Sequence, residues 1–142
     1  MQKISISILL LALLSISGES FAQSESAPEQ SRPPATFETS PVIVDGETLF
    51  SIRGVSSFPA KARAKRIRNR ILAVARDETF NPADIRFAAV GDHYEVLAGT
   101  DTVLMQLFSA DAELEAIPLA LLAETISLRI RGSVTDYRED RS

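Results

Sequence analysis

The spacing of polar and apolar residues between positions 41 and 131 changes period several times, and each change predicts an element. Val42, Ile43 and Val44 run into Asp45-Gly46, and Leu49, Phe50 and Ile52 follow, alternating with Ser51 and Arg53. Two β-runs meeting at Asp-Gly predict a hairpin, because a type I′ turn needs φ > 0 at both central residues. Over residues 59–76 the period becomes helical. At 100° per residue, Ala60, Ala64, Ile67, Ile71, Val74 and Ala75 share one apolar face, the stripe that a half-buried helix needs. Pro59 is expected near the first helical position, with Ser56 or Ser57 capping it.

Asn81-Pro82 marks the turn after this helix. Three strands are predicted next, over residues 85–90, 93–98 and 102–108. Gly91-Asp92 and Gly99-Thr100-Asp101 turn the chain back between them, giving an antiparallel meander. Its third strand is the most apolar and is expected to be central. Ser109 or Asp111 opens a short helix. Pro118 opens a longer one, predicted to reach about Arg131, with Leu119, Leu122, Ala123, Ile126 and Ile130 inward. Leu121 and Leu128, one heptad apart, point outward, as incidental surface leucines in preference to a docking stripe. Gly132 is expected to end or loosen this helix, and residues 137–142 to fray. The order β-β-α-β-β-β-α predicts an α+β fold: an N-terminal β-hairpin, a basic amphipathic helix, a three-stranded antiparallel meander and a C-terminal helix, with the helices packed on a small sheet.

The 142 residues are one domain's worth. Lys3, the apolar run over residues 4–16 and Ser20-Phe21-Ala22 read as a secretory signal peptide over residues 1–22, cleaved after Ala22. A helix of that run would span roughly 20 Å, short of a hydrocarbon core of roughly 30 Å. The expected location is exported and periplasmic. Residues 23–40, rich in Ser, Pro, Glu and Ala, read as a disordered linker, leaving 41–142 as the single α+β domain. The chain has no cysteine, which removes disulfides, thiolate nucleophiles and thiolate metal sites.

Charge adds one feature. Residues 59–76 hold seven of the fifteen basic residues and no acidic one. The helix therefore carries +7 in a chain of net charge −4, and the remainder carries −11. That balance argues against nucleic acid as the main partner. One reading is a solvated face whose long side chains lean toward the acidic remainder. The functional reading makes Lys61, Arg63, Lys65, Arg66, Arg68 and Arg70 the candidate binding residues, for anionic lipid headgroups or for an acidic protein partner, either the domain's own copy or a membrane protein such as a channel assembly. No G-x-S-x-G, H-E-x-x-H or glycine-rich phosphate loop occurs. His93, the only histidine, reads as a surface residue at a strand start. Asp92, Asp101 and Asp111 fall at turns or caps, where aspartate is expected on conformational grounds. No enzyme, metal or cofactor is expected. A periplasmic small-ligand-binding protein is the alternative to an interaction module.

The stretch PVIVDGETLFSIRGVSSFP, the Ala/Arg-rich helix after it and the strand TVLMQLFSADA resemble the N-terminal periplasmic domain of small-conductance mechanosensitive ion channel family proteins. The resemblance covers residues 41–142. It implies an extracytoplasmic interaction or sensor module working beside a membrane. Proteins of that family continue into membrane-spanning helices. This sequence stops at Ser142 and has no run of 18 apolar residues, so a module that is not a channel by itself is expected. The family's helix would also mix Glu with Arg, whereas this one is wholly basic.

Overall fold

A computed structural model describes residues 37–142. The expected signal peptide over 1–22 and the expected linker up to residue 36 lie outside the described residues. The domain begins earlier than its apolar pattern suggests, because strand β1 spans Thr39–Val44. Gly54 N–H donates to the Glu38 carbonyl at 3.1 Å, and the Arg53 guanidinium lies 3.0 Å from the centroid of the Phe37 ring. Main-chain pairing and a cation–π contact recruit residues 37–40, which apolar burial alone would have left in the linker.

Strand β1 pairs antiparallel with β2 (Glu47–Arg53). Asp45 and Gly46 both take positive φ, 52° and 85°, as the type I′ turn requires. Helix α1 follows at Ala60–Arg76. The sheet strands β3 (Ile85–Val90), β4 (His93–Ala98) and β5 (Thr102–Leu107) form a separate antiparallel meander in the order β3-β4-β5. The central strand is therefore β4, and β5 is an edge. The apolar content of β5 comes from its contacts through one face and a bulge, not from a neighbour on each side. Helix α2 covers Ser109–Glu115 and α3 covers Leu119–Glu139.

Two β-bulges explain why period-2 counting misjudges the core. Val42 pairs with Phe50 and Ile43 with Thr48, leaving Leu49 as the extra residue. Val96 pairs with Met105 and Leu97 with Val103, leaving Leu104 extra. Each bulge lets two consecutive apolar side chains turn inward, and Leu49, Phe50, Leu104 and Met105 are all buried. Conversely, alternation leaves Ile43 exposed between buried Val42 and Val44. One hydrophobic cluster runs from the hairpin through Ile67 and Ile71 of α1 and Ile85 and Val96 of the sheet to Ile126, Ile130 and Val134 of α3.

Helix α1 starts without a serine cap. Val55 and Phe58 exchange main-chain hydrogen bonds of 3.0 and 2.8 Å, which makes Ser56-Ser57 a turn and places Pro59 at the cap. A Cβ on Gly54 would stand 3.0 Å from the Ala60 amide nitrogen, so this approach of backbone to helix needs glycine. At the other end, α3 supplies the cap. Arg138 donates to the carbonyls of Val74, Ala75, Asp77 and Phe80 at 2.8–3.0 Å, satisfying acceptors that the end of a helix leaves free.

Helix α3 does not stop at Gly132. Its inner face continues past that residue with Val134, and Tyr137 packs on the core. The tail beyond is held too. Arg141 pairs with Asp45 through two hydrogen bonds of 2.8 and 3.0 Å, and this guanidinium keeps the Asp45 carboxyl below the usual carboxylate range. That contribution exists while Asp45 is ionised and fades as pH falls through its lowered pKa. Gly132 has open space around its would-be Cβ inside a continuous helix. Gly132→Ala is expected to stabilise the domain by about 0.5–1 kcal/mol, read as a higher midpoint in urea. A lower midpoint would mean that the glycine serves a contact this geometry lacks.

Candidate functional site

Projection of α1 at 100° per residue divides its seven cations into three groups. Arg63 falls beside the apolar face and is buried, 6% exposed. Its guanidinium donates to both carboxylate oxygens of Asp111, at 2.7 and 2.9 Å. It also donates to the carbonyls of Arg53 at 2.8 Å and Gln106 at 2.6 Å. Asp111 is 3% exposed and accepts from Phe108 N–H at 3.0 Å, one half of a capping box for α2. The pair thus ties α1, β2, β5 and α2 together. Bidentate geometry and satisfied donors are what make such a buried pair tolerable. Arg63 is therefore withdrawn from the candidate binding residues, because both terminal nitrogens of its guanidinium donate to acceptors inside the protein.

Lys61, Lys65 and Arg68 lie on a second arc, all exposed, and Arg76, on the same arc, reaches Tyr137 Oη at 3.2 Å. Arg66 and Arg70 form the third arc, on the opposite flank, also exposed. Ala62, Asn69 and Ala73 fall between the two flanks and face outward. Among the described residues, none of Lys61, Lys65, Arg66, Arg68 and Arg70 has a carboxylate within 4.0 Å. Arg66 rests over the Phe58 ring, 4.5 Å from its centroid. The arginines of α3 and the tail after it behave differently: Arg129 and Arg131 donate to the Leu49 and Ile85 carbonyls, and Arg138 and the tail residue Arg141 are engaged as described. Cations of α3 hold the fold; five cations of α1 are exposed with no carboxylate partner among the described residues.

The Arg66–Arg70 flank is one wall of a groove of about 540 Å³. Val103, Met105 and Gln106 of β5 form the facing wall, and Phe58 and Phe108 lie at its sides. The Arg63–Asp111 pair underlies it, and Arg63 itself lines the groove. Gln106 Nε2 donates to Glu95 Oε1 at 3.0 Å across β4 and β5, which commits that carboxylate within the sheet. His93 is half-buried against Phe108, with ring centroids 5.5 Å apart, and is not a free surface residue. Its Nε2 lies 3.6 Å from Glu95 Oε1 without a hydrogen-bond partner. Asp92 contacts Nδ1 at 3.3 Å. Among the described residues, no three His, Asp or Glu side chains are grouped to hold a metal ion. No helix among them is long and apolar enough to cross a membrane.

Residues 41–137 match the family described as a domain of unknown function, DUF8459. The chain belongs to this family. The match runs from the hairpin to Tyr137 and takes in α1, the Arg63–Asp111 pair and the whole groove, so these are parts of the family domain. No curated protein and no solved structure matches the chain.

The groove was not legible in the linear pattern, since Phe58, Met105, Gln106 and Phe108 come from distant segments. One signal for Arg63 was present. Its helical angle falls within 60° of Ala60, inside the arc of buried positions, where an unpaired guanidinium would be too costly to keep. The short helix after β5, opened by an aspartate, offered the counter-charge.

Proposed function

We propose that this domain is a non-enzymatic interaction module working outside the cytoplasm beside a membrane, with the exposed cations of α1 as its contact surface. The observation that supports this most is the contrast between the two helices. Each arginine of α3, Arg129, Arg131 and Arg138, donates to main-chain carbonyls within the fold, and Arg141, just past its end, pairs with Asp45. Lys61, Lys65, Arg66, Arg68 and Arg70 are exposed with no carboxylate in ion-pair range among the described residues. Concentrating uncommitted positive charge on one helix of an otherwise acidic chain leaves an anion-seeking face. The location follows from the signal-like residues 1–22. The resemblance to the periplasmic domain of mechanosensitive channels supplies the class of partner: a membrane protein, or the anionic headgroups around it.

The headgroup form is tested by sedimentation with vesicles containing phosphatidylglycerol, against phosphatidylcholine alone. Each basic residue near an anionic surface contributes about 1 kcal/mol. Lys65→Glu with Arg68→Glu should thus weaken binding by at least about thirtyfold, with unchanged thermal unfolding and strong salt sensitivity in the parent. Vesicle binding that survives the double substitution would exclude this flank as the contact. A small-ligand-binding role is the second reading. It is favoured by the groove's volume of about 540 Å³, within the usual range of roughly 300–1,000 Å³. A shift in unfolding temperature with a panel of small organic anions would support it.

A further inference from the structure

The groove between α1 and β5 has a property that the outer flank of α1 lacks: one of its walls is the free edge of a β-sheet. Among the described residues, strand β5 pairs only with β4, and its Val103, Met105 and Gln106 line the groove. An edge strand carries a row of main-chain donors and acceptors that can pair with another strand. Arg63 takes up one of them, the Gln106 carbonyl. On the opposite wall stand Arg66 and Arg70, whose guanidinium groups have no acidic partner among the described residues.

The spacing of the two arginines suits an extended chain. Four residues of helix advance about 6 Å. Two residues of strand advance about 6.8 Å. Carboxylates at alternate positions of a strand laid along α1 would repeat at nearly the same interval as Arg66 and Arg70. Phe58, Phe108 and Val103, each partly exposed, offer apolar contact along the same path. Charge also decides which strand can enter. A second copy of this chain, pairing β5 to β5, would bring its own Arg66 and Arg70 against these, and like charges would oppose the approach. An acidic strand has the complementary sign.

We propose that this groove receives an extended acidic peptide of a protein partner, which adds as a strand to the free edge of β5 and places alternate carboxylates against Arg66 and Arg70. The inference deepens the interaction-module reading and rests on it, but it uses the opposite flank of α1 from the one assigned to headgroups. Recognition by strand addition combines main-chain pairing with side-chain selection, so both parts can be tested separately.

The probe is a fluorescein-labelled peptide, Ser-Glu-Val-Glu-Val-Glu-Ser, titrated with the full chain at low salt and read by anisotropy. Binding is expected, with amide shifts in a ¹⁵N-labelled sample centred on residues 103–108. The same peptide N-methylated at alternate residues keeps its charge and loses its pairing groups; it should bind at least tenfold more weakly. A peptide with Lys in place of Glu should not bind. Arg66→Glu with Arg70→Glu should weaken the parent peptide at least tenfold, whereas Lys65→Glu with Arg68→Glu should change it less than threefold. Equal binding of the N-methylated peptide, shifts centred on Lys61, Lys65 and Arg68, or no binding of the acidic peptide would each overturn the proposal. Vesicle binding that persists alongside such a result leaves the interaction-module reading standing, so the two failures are distinguishable. The N-methylated arm uses the unaltered protein and does not depend on any variant folding.

Discussion

Asp111→Ala is expected to remove about 3–5 kcal/mol of stability. Total stabilities of domains this size run about 5–15 kcal/mol, so the variant stands at or near the edge of unfolding. The cause is the charge left behind. Arg63 is 6% exposed and has Asp111 as its carboxylate partner, with the remaining bonds going to two main-chain carbonyls. Without Asp111 the guanidinium keeps its desolvation and loses its counter-charge, and Phe108 N–H loses its acceptor. Urea unfolding followed by circular dichroism measures the loss. The companion variant separates pairing from packing: Arg63→Met with Asp111→Leu replaces both charges by apolar groups and should recover most of the stability. A single Asp111→Ala variant within about 1 kcal/mol of the parent would mean that solvent reaches the pair. The same double variant tests the groove, because the pair underlies it: it should remain folded in urea unfolding while its peptide binding, read by anisotropy, changes.

Ile67→Asp is expected to unfold the domain outright. Ile67 sits on the buried face of α1, at 3% exposure, within the cluster shared with the hairpin, the sheet and α3. Its cluster neighbours are apolar, and the buried cation one turn away, Arg63, is already paired with Asp111. It also removes a large apolar side chain, which by itself costs about 2–5 kcal/mol in a core. Burial of an unpaired carboxylate adds several kcal/mol more or forces its protonation. Collapsed amide dispersion and loss of the cooperative urea transition are the expected signs. Lys65→Glu, two residues away on the exposed arc, should stay within about 0.5 kcal/mol of the parent. If the two substitutions had similar effects, the helical face assigned to the core would be wrong.

Much of the fold was legible along the chain, for local reasons. Asp45-Gly46 could be read as a hairpin turn because positive φ is a property of those two residues and their steric freedom. The limits of β3 and β4 followed from glycines at the intervening turns, and the inner faces of α1 and α3 from the 3.6-residue period. Errors arose where distant contacts overruled local preference. Gly132 is a poor helix former, yet α3 passes through it because Val134 and Tyr137 dock beyond it. The tail looked frayed by composition, yet Arg138 and Arg141 fasten it to the end of α1 and to the hairpin turn. Ser56-Ser57 looked like a cap, yet the bridge between Val55 and Phe58 took that segment into a turn.

The candidate site divides the same way. Sequence alone determined that one helix holds seven cations in an acidic chain, that six of them deserved testing as a binding surface, and that the domain is α+β. Periodicity, turn chemistry and charge are carried by near neighbours, so they survive without coordinates. Only the tertiary structure decided what each cation does. It paired Arg63 with a carboxylate 48 positions away, set Lys61, Lys65 and Arg68 on a free flank, and turned Arg66 and Arg70 toward the open edge of β5. Those assignments depend on where strands and helices meet, and burial and ion pairing act through space rather than along the chain.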